Sequence, residues 1–334
     1  MAYYVNVILI SLLSLQAYAS EYPEVRVATL QFGTVNWEID VIRHHQLDKK
    51  YNFSLNVTPV GGKNASAVAL QSNAVDVIYG DWVWVNRQRF NRRMYSFSPV
   101  SSAAGGLYAQ PDSQIDTLTD IEGQRVGIAG GSVDKSWLLL QAYAKQETDK
   151  DLRAYIEPVY AAPPLLNKLM LDRKLPLSLN FWHYSARLEA QGFRPVITVD
   201  EIVKGLGVET ALPLVGWVFA DAWKEQNSER LDNFLKASQE ARQILMDSDE
   251  EWARIRSLTH AENDAVFMAL KRGYRAGVLQ KFSAEELNSL DHIYKIMVTE
   301  GGDALTGGAN TLDPKLFYLP AVDKGVATEV GGGV

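Results

Sequence analysis

The residues with the most chemical content stand together in one stretch, Val126-Gly127-Ile128-Ala129-Gly130-Gly131-Ser132-Val133-Asp134-Lys135-Ser136-Trp137. An apolar run breaks at two glycines and restarts with helical spacing, which predicts a strand, a tight turn and a helix N-terminus. Backbone N–H groups in a first helical turn lack intrahelical partners and carry partial positive charge, so such a turn can seat an anionic ligand. Ser132 is placed as the N-cap, and Asp134 suits the positive end of the dipole. Lys135 opposes that dipole at a cost of roughly 0.3–1 kcal/mol, by analogy with the reverse placement. Two readings of it stand side by side: a side chain in solvent, or a cation turned toward a ligand against the local rule. An amine desolvated in a cleft can lose its proton and add reversibly to an activated carbonyl, so covalent capture and plain anion pairing are both open for Lys135.

Three further turns gather polar and aromatic groups at predicted strand ends. The first supplies Gln31, Phe32, Thr34 and Trp37; the second Tyr79, Asp81 and Trp82; the third Asn180, Trp182 and Tyr184. With Ser132, Lys135 and Trp137 they form four candidate walls of one cleft. The Gly61-Gly62-Lys63-Asn64 turn adds Lys63 and Asn64, and Arg87 is the candidate from a cluster with Arg89, Arg92 and Arg93. Aromatic rings beside Arg or Lys suit a flat or anionic small molecule through stacking, cation–π contact and charge-assisted hydrogen bonds. Taken singly, each tryptophan favours a place in the core; it is the clustering of four turns that points to a site.

Enzymatic patterns are missing. There is no G-x-S-x-G elbow, and Gly127-x-x-Gly130-Gly131 is not a dinucleotide fingerprint. The five histidines, His44, His45, His183, His260 and His292, show no H-E-x-x-H or similar spacing, so no metal site is expected from them. His183 falls in a candidate cleft, where a helix-start role outweighs catalysis. The rival reading from another class is an enzyme that uses Lys135 on a carbonyl compound.

The elements that must position these residues alternate. Strands are predicted at Glu24–Gln31, Phe53–Val60 and Val75–Tyr79, with helices between them and Asp81 capping the next helix. Pro99 to Gln110 reads as a crossover into a second lobe, which continues with strands at Ala154–Val159, Pro176–Phe181 and Pro195–Val199. Leu212 to Phe219 returns to the first lobe. Helices follow at about Ala222–Asp247, Glu250–Leu258, Glu262–Gly277 and Ala284–Thr299, and this block is read as packing. Such alternation implies an α/β fold with a mixed, mostly parallel sheet in each lobe, and ligands on such sheets bind at the carboxyl ends of strands.

Whole-chain properties bound the function. The 334 residues are 47% hydrophobic and 22% charged, an ordinary globular composition long enough for two domains. Net charge is −7 with no long basic run, which argues against nucleic acid as a partner. Residues 1–19 hold an apolar run and end in Ala17-Tyr18-Ala19, a secretory signal cleaved after Ala19, although its start lacks Lys and Arg. No cysteine is present, which removes disulfides, thiolate chemistry and a lipidated N-terminal cysteine together.

The Gln31-Phe32-Gly33 strand end, Gly61-Gly62-Lys63-Asn64, Asp76-Val77-Ile78-Tyr79-Gly80, Leu118-Thr119-Asp120-Ile121-Glu122-Gly123-Gln124-Arg125-Val126-Gly127 and the helical end resemble the periplasmic solute-binding proteins of nitrate, sulfonate and taurine ABC transporters. The likeness spans residues 24–318. It implies a two-lobed type II periplasmic binding fold, a small anionic or aromatic ligand, an ABC permease as partner, a monomer and no turnover. The first lobe would comprise 21–104 and 208–320, the second 105–207, with 321–334 a tail. Asp134-Lys135-Ser136-Trp137 and Asn180-Phe181-Trp182-His183-Tyr184 are similar to a methylotroph-associated subgroup, some of which bind pyrroloquinoline quinone. That likeness implies Lys135 as the pocket lysine able to react with a quinone carbonyl, the quinone being a ligand and not a catalyst. A pyrimidine-precursor synthase in the same family depends on cysteines, and this chain has none.

Overall fold

The computed structural model describes residues 22–279 and 281–319. The expected signal (1–19) and tail (321–334) lie outside the described residues. The chain opens with β1 (Glu24–Leu30), α1 (Val35–His44), α2 (Leu47–Lys50), β2 (Ser54–Val60), α3 (Lys63–Gln71), β3 (Val77–Gly80), α4 (Trp82–Phe90) and β4 (Tyr95–Ser101). It crosses to β5 (Gly106–Ala109), β6 (Arg125–Ala129), α5 (Lys135–Thr148), α6 (Leu152–Tyr155), β7 (Glu157–Ala161) and α7 (Pro163–Leu171). The same lobe goes on through β8 (Leu177–Asn180), α8 (Trp182–Glu189), β9 (Arg194–Thr198) and α9 (Val199–Gly205). After β10 (Val215–Ala220) come α10 (Asp221–Gln226), α11 (Ser228–Asp247), α12 (Asp249–Ile255), α13 (Asp264–Gly277) and α14 (Ala284–Thr306).

These strands form two five-stranded sheets, in the orders β2-β1-β3-β10-β4 and β7-β6-β8-β5-β9. In the first, β1 pairs parallel with β2 and β3, while β10 runs antiparallel between β3 and β4. In the second, β6 pairs parallel with β7 and β8, and β5 runs antiparallel between β8 and β9. Each sheet is therefore mixed, as the alternation of strands and helices predicts, with two parallel and two antiparallel pairings. Apolar runs such as Val25, Val27 and Ala28, all fully buried, reflect sheets covered on both faces.

Helices cover the sheets in two main cores. One joins Val27 and Trp217 to Trp37, Phe234, Trp252 and Tyr274 from α1 and α11–α13. The other runs from Ile78 and Trp82 through Tyr294 and Met297 of α14 to Leu138 and Leu139 of α5 and Ile128 of β6. The C-terminal helices thus reach both sheets: α14 packs on α5 and α13 on α8. At the crossing between the sheets, Ser102 N–H donates to Gly277 O at 2.9 Å. A Cβ on Gly277 would stand 2.3 Å from that of Ala103, so only glycine allows this approach.

Several expected boundaries are corrected. The strand read at Ala154–Val159 begins at Glu157, because Asp151 caps a short helix over Leu152–Tyr155 by accepting from Arg153 N–H. The stretch from Pro99 read as a crossover begins inside β4 and ends in β5. Helix Ala222–Asp247 is two helices parted at Asn227, whose φ of −135° and ψ of 33° are not helical. The helix expected at Glu250–Leu258 is α12, followed by a 3₁₀ turn from Arg256 to Thr259. The last helix runs beyond Thr299 to Thr306, with a break at Gly302.

Candidate functional site

At the carboxyl end of β3, Asp81 caps α4: its side chain accepts from Trp84 N–H at 3.0 Å, which fixes the carboxylate at the mouth of the first sheet. At the end of β6 the chain turns through Gly130 and Gly131, with φ of +80° and +89°. The expected N-cap, Ser132, is corrected: Asp134 caps α5 by accepting from Ser136 N–H at 3.0 Å, and Ser132 is exposed in the turn. The helix starts two residues later than a Ser132 cap implies, so Lys135 is its first residue.

Lys135 does not extend into solvent. Its Nζ lies 3.4 Å from Asp81 Oδ2, and the two side chains are only 18% and 19% exposed. A cation at the wrong end of a dipole is thus offset by a carboxylate from the other sheet's strand end. Lys63 adds a second bridge, its Nζ lying over the Phe181 ring, 5.5 Å from the centroid. Burial pushes the Asp81 carboxyl up, but the charges of Lys135 and Lys63 and the Trp84 N–H outweigh it and hold it below its ordinary range. Asp134 goes the other way: burial raises it, against Lys135, Lys63 and the first N–H groups of α5. Two cations and two carboxylates therefore face each other across the seam.

A small chamber of about 30 Å³ is lined by Thr34, Glu38, Tyr79, Trp182, Arg242 and Tyr274 among others. Its floor is a hydrogen-bonded network. Glu38 accepts from Tyr274 Oη at 3.1 Å, and from Ser238 Oγ and Arg242 Nη1 at 3.4 Å each. Burial raises the Glu38 carboxyl despite Arg242, Tyr274 and Ser238, and raises Tyr79, with Glu38 adding to the effect. Trp182 also walls a larger hollow of about 270 Å³ between α8 and α13, which contains none of the seam charges.

The structure brings Lys63, Asp81 and Lys135 together at the seam, and Thr34, Tyr79 and Trp182 around the chamber. Other expected wall residues have structural places. Trp37 is buried, with its Nε1–H donated to Leu258 O at 3.2 Å. Trp82 is buried and donates to Pro213 O at 2.8 Å, and Trp137 is buried in the core beside Leu138. Asn180 is buried, donating to Asn167 Oδ1 and Pro163 O and accepting from Phe181 N–H, which ties β8 to α7. Tyr184 lies against His183, and its carbonyl accepts from Asn167. Gln31, Phe32 and Asn64 are exposed, Phe32 at 73%. Arg87 lies beside Gly307, just past the end of α14. Its neighbour Arg89 is spent on Asp221 and Asp313.

Glu38, Arg242 and Tyr274 line the chamber without a sequence motif of their own, the last two from the C-terminal helices. One signal existed: Glu38 stands between Trp37 and Ile39 inside an apolar helical stripe, where a carboxylate needs a partner. The arrangement can hold and enclose a charged molecule. Among the described residues no hydrogen bond joins a histidine to a serine or threonine hydroxyl.

No family model and no curated protein matches the chain. Solved structures do. The periplasmic aliphatic sulphonate binding protein SsuA from Escherichia coli is similar at 15% identity and a TM-score of 0.70, over 93% of this chain and 94% of that one. The chain has the two-lobed periplasmic binding protein fold. The alkanesulfonate-binding protein SsuA from Xanthomonas axonopodis pv. citri, bound to MOPS, is similar at 13% identity and a TM-score of 0.68, over 90% and 99% of the two chains. The desulfurization enzyme DSZB shares the fold at 13% identity and a TM-score of 0.57, over 92% and 96%. This two-lobed fold therefore serves both binders and at least one enzyme, and the choice between them rests on the site.

Proposed function

We propose that this chain is the substrate-binding component of an ABC importer, exported to the periplasm, which delivers a small organic anion to a permease without turning it over. The observation that carries the reading is the Lys135–Asp81 pair across the seam. An incoming anionic group takes the place of Asp81 on Lys135 Nζ, with Lys63 as the second cation and the Phe181 and Trp182 rings as walls. The chamber has room for about one water, so the ligand enters with the lobes apart and is enclosed as they close. A singly charged head on an apolar body, such as a sulfonate, suits a seam whose own charges balance. The similar SsuA structures bind sulfonates, which supports that class.

The finer reading is pyrroloquinoline quinone. What favours it is an amine held beside a carboxylate at hydrogen-bonding range. Lys135 gives one proton to Asp81, its lone pair forms a bond to a quinone carbonyl carbon as the C=O π pair moves onto oxygen, and that oxygen takes a second proton from the new ammonium, leaving Asp81 protonated. The product is a hemiaminal, and no oxidant is consumed.

Thermal-shift and calorimetric titrations with ethanesulfonate, taurine, nitrate and the quinone, with absorbance spectra, test both readings. At least one anion should stabilise the chain and be recovered unchanged. A quinone that neither stabilises nor changes its spectrum removes the finer reading. Failure of every anion removes the general one, and ligand converted to product favours the enzyme.

A further inference from the structure

About two turns along α1 from the chamber's Glu38, the helix ends in two consecutive histidines. His44 is its last residue and His45 its C-cap, and both are exposed. Glu251, from the first turn of α12, meets them: its Oε2 lies 3.3 Å from His45 Nε2. The ligating atoms of His44, His45 and Glu251 all lie within 4.8 Å of one another. Two donors at about 2.0–2.1 Å on a tetrahedral ion stand about 3.3–3.4 Å apart, so the His45–Glu251 spacing already matches a shared ion.

The surroundings are those of a cation site. Glu251 is buried, and Arg254 holds its other oxygen, Oε1, through Nε at 3.0 Å and Nη2 at 2.6 Å. That contact orients the carboxylate and leaves Oε2 for a metal, as outer partners do in metal sites. Asp40 in turn binds Arg254, so the carboxylates of Asp40 and Glu251 outweigh the one guanidinium. The C-terminal end of α1 contributes the negative end of its dipole.

We propose that His44, His45 and Glu251 bind one zinc-class divalent ion, with a fourth position open to water, tying the end of α1 to α12. Two imidazoles and one carboxylate select Zn²⁺, Ni²⁺ or Cu²⁺ over Mg²⁺ or Ca²⁺. No spacing motif announces the site, because Glu251 comes from a distant segment that only the fold brings to the histidine pair. The site is separate from the seam and does not depend on the proposed anion.

The test is calorimetric titration of the untagged chain with Zn²⁺, paired with the visible spectrum after Co²⁺ addition. One equivalent should bind with a micromolar or tighter Kd, raise Tm and give a tetrahedral Co²⁺ spectrum, while Mg²⁺ does neither. His44→Ala and His45→Ala, both at exposed positions, should each weaken binding by about tenfold or more, the scale on which even outer-shell changes act. Lys135→Ala should bind zinc as the parent does. Absence of binding to the parent, or equal binding by the parent and both histidine variants, overturns the proposal.

Discussion

Replacing Asp81 with Asn separates the two jobs of that side chain. Asn caps helices as well as Asp does, so the bond from Trp84 N–H is kept and α4 stays in place. What disappears is the charge opposite Lys135. At an effective dielectric of about 20, unit charges 3.4 Å apart attract by about 5 kcal/mol. Desolvation of the pair and its partial exposure cancel most of that, leaving about 1–2 kcal/mol. If an anion must displace Asp81 from Lys135, that amount is a competition the ligand works against. Asp81→Asn should then tighten anion binding by about 5–30-fold, while Lys135→Ala weakens it. Because the Asp81 carboxyl is held below its ordinary range, the pair's contribution is complete above that range and is lost only as pH falls through the folded value. Calorimetry at neutral pH is the assay, with the tightest anion of the panel. Equal weakening by both variants would refute the reasoning, since it would make Asp81 a ligand contact and not a competitor.

Two further outcomes follow from local geometry. Gly130→Ala places a Cβ at φ +80° and 2.3 Å from Asp134 Oδ2, so it should strain the turn and loosen the α5 cap; urea unfolding should show a loss of about 1–3 kcal/mol at unchanged m. His183 has an Nδ1 with no hydrogen-bond partner among the described residues, and burial, with Arg187 adding, lowers its pKa to about 3. The unfolded imidazole takes up a proton near its usual 6.5 and the folded one does not, so stability should fall as pH drops from 6.5 toward 3, with a slope approaching one proton. His183→Gln should remove that slope, and identical pH profiles would contradict it.

The parts of this structure legible in the sequence are those with short-range causes. Val25-x-Val27 and Val77-Ile78 read as strands because apolar side chains repeat at strand spacing, and Asp81 reads as a cap because its carboxylate must meet a free N–H. The turn at Gly130 was also legible, but Asp134 won the cap over Ser132 because the first glycine in αL brings the Asp134 carboxylate against its own Cα. Lys135 stands out in the sequence because it breaks the dipole rule, and its reason, Asp81, comes from the other sheet. The tryptophans show the limit: Trp37, Trp82 and Trp137 share turns with cleft residues yet face inward, because one residue along a helix turns a side chain by about 100°. Arg242 and Tyr274 sit in amphipathic helices, where nothing local distinguishes them from solvated or core neighbours.

The place of β10 has a consequence for how this chain acquires its structure. The second sheet is made from one continuous segment, β5 to β9, and every pairing in it can form as soon as Thr198 is available. The first is not: β4 lies at its edge, joined only through β10, which arrives more than a hundred residues later. Until Val215–Ala220 is inserted, β3 and β4 lack a shared neighbour. The sheet of the second lobe should therefore form early, and the sheet of the first lobe should close late and slowly over a long loop. A chain cut just before β10 should retain a protected second sheet in hydrogen exchange and leave the first open.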